Sequence, residues 1–101
     1  MPRRSKSFDK LIAEKMKDPE YARESLLTSI EEFGESVEEA LKYSIELMGI
    51  KEFSEVSGIR IQNISDFIKG RKNLKLETLD KYLSVFGLKS KIIVTEVVDV
   101  A

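Results

Sequence analysis

Apolar residues recur along this chain at three- and four-residue spacing, in short bursts separated by glycine, proline or a small polar residue. That rhythm is the period of short amphipathic helices. The first burst puts Phe8, Leu11, Ile12 and Met16 on one face and predicts a helix over 8–16. Asp18-Pro19 stops it and starts the next, since Asp is a good N-cap and Pro suits the first helical position. The second helix sets Ala22, Leu26, Ile30 and Phe33 on a common stripe and ends at Gly34. Ser36 and Glu39 have the spacing of a capping box ahead of Val37, Leu41, Ile45 and Met48, and Gly49 closes this third helix. Two short elements are expected near 51–57 and 61–69, and a last helix carries Leu76, Leu79, Leu83 and Phe86 before Gly87. The fold class expected is all-α, a compact helical bundle.

Residues 91–98 (KIIVTEVV) break the rhythm. They are β-branched without helical spacing, which predicts a short strand. One strand in a helical chain has no partner, and a bare edge invites pairing. Antiparallel pairing with the same segment of a second copy, through Ile92, Ile93, Val94 and Val97, would give a twofold homodimer. The alternative is an unpaired tail. The expected organisation is a flexible basic start at 1–7, N-terminal helices over 8–49, a distinct segment at 50–90, and the strand and tail at 91–101.

The segment 50–70, IKEFSEVSGIRIQNISDFIKG, is the most informative. Apolar Phe53, Val56, Ile59, Ile64, Phe67 and Ile68 alternate with polar Arg60, Gln62, Asn63, Ser65, Asp66 and Lys69 around a central Gly58. Two short helices hinged at a glycine that accepts φ > 0 make a helix-turn-helix, whose second helix presents its polar face to the DNA major groove. Small Ser54 lies where the two helices approach. The base-contacting set expected is Arg60, Ile61, Gln62, Asn63 and Asp66. Amides pair bidentately with adenine, arginine reads guanine or holds phosphate, and aspartate accepts from cytosine or is repelled by the backbone. Ile61 meets a thymine methyl or packs on the scaffold. Lys69, Arg71, Lys72 and Lys75 suit phosphate contacts, which set register and carry salt dependence. Arg60 stands where a Ser or Thr cap would be expected, so the first turn of the second helix is expected to order on DNA.

Charge strengthens that reading. A net charge of −1 hides segregation along the chain. Residues 1–17 carry six Lys/Arg against Asp9 and Glu14, and residues 18–49 carry Arg23 and Lys42 against nine acids. Residues 50–91 hold nine Lys/Arg against five acids, so the basic charge coincides with the helix-turn-helix pattern. With 101 residues, 42% of them apolar and 35% charged, the chain suits one small globular domain. It contains no cysteine and no histidine, which rules out thiolate and imidazole metal sites and a histidine-based nucleophilic triad. No apolar run approaches the length of a membrane span, and a cytoplasmic location is expected. The acids Glu31, Glu32, Glu35, Glu38 and Glu39 sit at helix ends, where dipole contacts account for them, so neither an enzyme, a metal nor a cofactor is expected.

From Ile50 to Leu88 the chain resembles the lambda-repressor-like (Xre-type) helix-turn-helix family. The match lies in Phe53-Ser54, Gly58-Ile59, Ile64-Ser65, Phe67, Gly70, the following L-E-T-L, and F-G-L at 86–88. Over residues 8–90 it is similar to one branch, the addiction-module antidote proteins of HigA type. That likeness rests on Phe8-Asp9, Lys17-Asp18-Pro19-Glu20, Leu26-Leu27, Ile30-Glu31-Glu32, Ala40-Leu41, Gly49, Gly58 and Leu79. The resemblance implies an antitoxin that neutralises a RelE/HigB-like ribonuclease toxin and represses its own operon as a dimer. An acidic 18–49 stretch would suit a basic toxin. The sequence departs from the family where it usually has a small polar residue, at Arg60, and a proline or serine, at Leu74 and Lys75. Alternatives are a phage-type or host repressor without a toxin partner, and an interaction module that has lost DNA binding.

Overall fold

The computed structural model describes residues 6–98, with side chains from Phe8; residues 1–5 and 99–101 lie outside the described residues. The expected flexible start and the end of the expected tail fall largely in those segments. Among the described residues six helices follow one another: α1 (Lys6–Met16), α2 (Pro19–Glu31), α3 (Val37–Met48), α4 (Ile50–Ser57), α5 (Ile61–Ile68) and α6 (Leu76–Ser84).

Each junction has a local cause. Asp18 adopts an extended backbone, accepts from the Glu20 N–H at 3.0 Å, and is followed by Pro19 at the first helical position of α2. Ser36 accepts from the Glu39 N–H at 3.2 Å and so starts α3. Gly49 alone separates α3 from α4.

The helices α1, α2 and α3 pack on one another; α3 continues onto α4, and α4 onto α5. One core runs through them all, from Met16, Ala22 and Leu26 through Leu41 and Ile45 to Phe53, Ile64, Phe67, Tyr82 and Phe86. Aromatic rings close its C-terminal end. Phe53 lies 5.6 Å from Tyr82 and 6.1 Å from Phe86, and Phe67 meets Tyr82 edge-on at 5.3 Å. Such pairs add roughly 0.5–1.5 kcal/mol each beyond burial. Burial also pushes the Tyr82 phenol above its ordinary pKa of 10.0.

Three expectations need correcting. α2 ends at Glu31, so Phe33 lies beyond the helix and is 74% exposed instead of completing the apolar stripe. Phe8 and Leu11 are about half exposed, because α1 rests on the core chiefly through Met16, with Ile12 packed beside it. The strand expected over 91–98 is absent: among the described residues there is no strand, and Ile92, Ile93, Val94 and Val97 are all strongly exposed. A strand is defined by its hydrogen-bonded neighbour, and one copy of the chain supplies none.

Candidate nucleic-acid interface

The α4–α5 unit is assembled from its turn outward. Gly58 takes the left-handed conformation, φ 74°, and its N–H donates to the Ser54 carbonyl at 2.9 Å. The Ser54 hydroxyl donates to the Ile59 carbonyl at 2.5 Å, and the Ser57 hydroxyl accepts from the Ile59 N–H at 3.0 Å. Both backbone groups of Ile59 are thereby satisfied by small hydroxyl side chains while its own side chain is buried. This fixes the angle at which α5 leaves the turn. Ser54 therefore does more than leave room.

Ile64 and Phe67 have no exposed surface and lock the inner row of α5 against the core. Behind them, the Lys42 ammonium of α3 lies 5.3 Å from the centre of the Phe67 ring, and also 3.6 Å from the Glu39 carboxylate. Lys42 was legible in the sequence only as a stray positive charge in an acidic stretch. Its place under α5 depends on the packing of α3, which no local pattern encodes.

The outer row of α5 is free to meet a ligand. Arg60, Ile61 and Gln62 are exposed, and Asn63 is half-buried beside them. Ile61 is 51% exposed, so much of its side chain lies outside the scaffold packing. Arg60 stands at the N-cap with an extended backbone, makes no side-chain cap, and accepts from the Ile64 N–H through its carbonyl at 3.1 Å. Contrary to expectation, α5 is already helical from Ile61 without a side-chain cap. The N–H groups of its first turn have no intrahelical partner, and they carry the positive end of the helix dipole.

Asp66 stands differently from the rest of that row. Its carboxylate accepts from Gln62 Nε2 at 3.1 Å and lies 4.0 Å from the Arg71 guanidinium. Lys69, Arg71, Lys72 and Lys75 are all exposed and follow one another from the end of α5 to the start of α6. Lys69 also borders a recess whose wall includes Glu35, Glu39 and Glu46 of the acidic half. The fold thus brings negative charge closer to this end of the basic row than the linear segregation suggests.

Two further placements bear on the surface. Val56, counted with the apolar positions of α4, is 65% exposed. At the other end of the unit, Ser90 donates to Asp80 from its N–H at 2.7 Å and from its hydroxyl at 2.6 Å, tying the start of 91–98 to α6. These two hydrogen bonds, the hydroxyl one foremost, hold the Asp80 carboxyl below its ordinary value of 3.8.

Among the described residues no helix is long and apolar enough to cross a membrane. A family model described as helix-turn-helix matches residues 39–92, just over half of the chain and the whole of α4, α5 and α6. No curated protein and no solved structure gives a significant match.

Proposed function

The chain belongs to the helix-turn-helix family of DNA-binding transcription regulators, and on that premise we propose that it is the antitoxin of a two-protein module. It represses its own operon as a homodimer and neutralises a RelE/HigB-like ribonuclease. The observation that carries the DNA half is the two-sidedness of α5: Ile64 and Phe67 are buried, while Arg60, Ile61 and Gln62 stand clear. A helix held this way meets the major groove with its outer row, where Gln62 and Asn63 read base edges. Lys69, Arg71, Lys72 and Lys75 grip phosphates beyond the C-terminal end of α5.

The toxin half is supported by the likeness of residues 8–90 to HigA-type antidote proteins and by the acidic helices. Glu24, Glu31, Glu38, Glu39 and Glu46 of α2 and α3 are all exposed. Such a surface steers a basic protein and suppresses like-charged competitors. The dimer is assigned to residues 91–98, whose exposed β-branched side chains gain a partner when two copies pair.

The test is capture of the tagged protein from its own host at moderate salt. A stoichiometric small basic protein is expected to accompany it. A clean preparation from expressing cells would remove the toxin half and leave an autonomous repressor, to be checked by titrating DNA upstream of its gene. Deleting residues 91–101 should turn a dimer into a monomer in sedimentation. An unchanged dimer would move the interface elsewhere, for instance to α6, where Leu76 is exposed.

A further inference from the structure

Gln62 and Asp66 lie one turn apart on the outer row of α5, and Gln62 Nε2 donates to Asp66 Oδ1 at 3.1 Å. An amide oxygen and nitrogen are hard to tell apart by shape, but a carboxylate only accepts, so the nitrogen must be the end that faces Asp66. The chemistry of the partner therefore sets the polarity of the Gln62 amide. Its Oε1 and its second N–H remain for a ligand.

Asp66 is itself held in place. The chain reverses at Gly70, φ 75°, where the Gly70 N–H donates to the Phe67 carbonyl at 3.1 Å and the Arg71 N–H to the Asp66 carbonyl at 2.9 Å. This double closure is a Schellman cap, and it brings Arg71 back over the residue that begins it. The Arg71 guanidinium then lies 4.0 Å from the same Oδ1 that Gln62 uses. The Asp66 side chain is only 27% exposed, against 67% for Arg71. An acid on a DNA-facing helix is repelled by phosphate unless paired, and here the pairing comes from the cap.

We propose that Asp66 is a positioning residue that orients Gln62 to read adenine, and that it does not contact a base itself. Adenine alone offers a donor and an acceptor side by side in the major groove, N6–H and N7, which match Oε1 and the remaining N–H. Guanine offers two acceptors there, and each pyrimidine offers one polar group of a single kind. Fixing the amide in advance removes part of the ordering cost of a rotamer-rich side chain, an effect of roughly three- to tenfold in binding. This inference rests on the DNA-binding role of α5.

The experiment is selection of bound sequences from a randomised duplex library at fixed salt, with the full chain as wild type, Gln62→Ala, Asp66→Ala and Asp66→Asn. Wild type should prefer adenine at one position that Gln62→Ala relaxes. Asp66→Ala should lower that preference roughly three- to tenfold and leave the other positions unchanged. Asp66→Asn keeps an acceptor oxygen and should stay nearer to wild type. In the free protein, Asp66→Ala should also move one of the two Gln62 side-chain amide proton resonances. If Asp66 acted only through its charge, Asp66→Ala would tighten binding to every sequence equally, and that outcome overturns the proposal. Loss of a cytosine preference would overturn it too, by making Asp66 a base reader. No base preference in wild type would instead remove the DNA reading on which the inference stands, and the inference with it.

Discussion

At the end of α5, the Gly70 N–H reaches the Phe67 carbonyl and the Arg71 N–H reaches that of Asp66; at the end of α6, Gly87 and Leu88 make the corresponding bonds to Ser84 and Leu83. The backbone device is the same. What closes it is not. In α6 the first and last residues of the cap are leucines, Leu83 in the core and Leu88 packed against it, which is the usual apolar seal. In α5 those two places hold Asp66 and Arg71, an ion pair on the surface. One cap faces the interior and the other faces the candidate DNA surface, so one junction is insensitive to ions and the other is sensitive to them. Chain reversal and surface chemistry are thus separable choices.

The largest way to break this comparison is to remove what both caps share. Phe53→Ala opens the ring cluster that joins Tyr82, Phe86 and, through Tyr82, Phe67; it should cost about 3–5 kcal/mol and melt both ends in one transition. Chemical denaturation followed by two probes checks this. A loss under 1 kcal/mol, or two separate transitions, would mean that the caps do not lean on a common core.

A sharper contrast comes from the closing residues. Leu88→Ala should lose about 1–2 kcal/mol of stability, unchanged between low and high salt, because Leu88 is half-buried and apolar. Arg71→Ala should lose no more than about 0.5 kcal/mol, and nothing at high salt, since exposed ion pairs contribute little. Its DNA affinity should nonetheless fall, with the salt slope reduced by about one phosphate contact. Equal salt dependence for the two variants would erase the distinction.

The smallest effect concerns acid. The two Ser90 hydrogen bonds depress the folded-state pKa of Asp80, so their contribution is fully present above the ordinary value of 3.8 and is lost as pH falls through the lower folded value. Ser90→Ala removes the hydroxyl bond, keeps the N–H one, and should raise the Asp80 pKa part of the way toward ordinary in an NMR titration. Behaviour at neutral pH should not change. An unmoved Asp80 titration would show that the Ser90 hydroxyl is not its main partner.

Much of the framework was legible because it is written in local chemistry. The caps at Asp18 and Ser36, the break at Gly49 and the turn at Gly58 need only a residue and its next few neighbours. What was hidden depends on partners distant in sequence or outside the chain. Phe33 fits a helical stripe on paper, but α2 stops before reaching it. Lys42 meets the Phe67 ring only once α3 and α5 are assembled in one fold, 25 residues apart in sequence. The β-branched tail has strand composition, yet a ladder needs a second strand. At the candidate site, the polar row from Arg60 to Asp66 was readable from spacing, whereas the Arg71–Asp66–Gln62 chain was not. Its Gln62–Asp66 link is an i,i+4 pair within α5, but the Arg71 link depends on Gly70 folding the loop back over the helix.

A single residue, Gly49, stands between the acidic helices and the helix-turn-helix unit, and the matched family segment begins inside α3, ahead of it. α3 is thus common property: Glu39 and Glu46 look outward, Leu41 and Ile45 fill the core, and Lys42 supports the ring behind α5. Were a protein held on the acidic flank to change the affinity for DNA, DNA would change the affinity for that protein by the same factor.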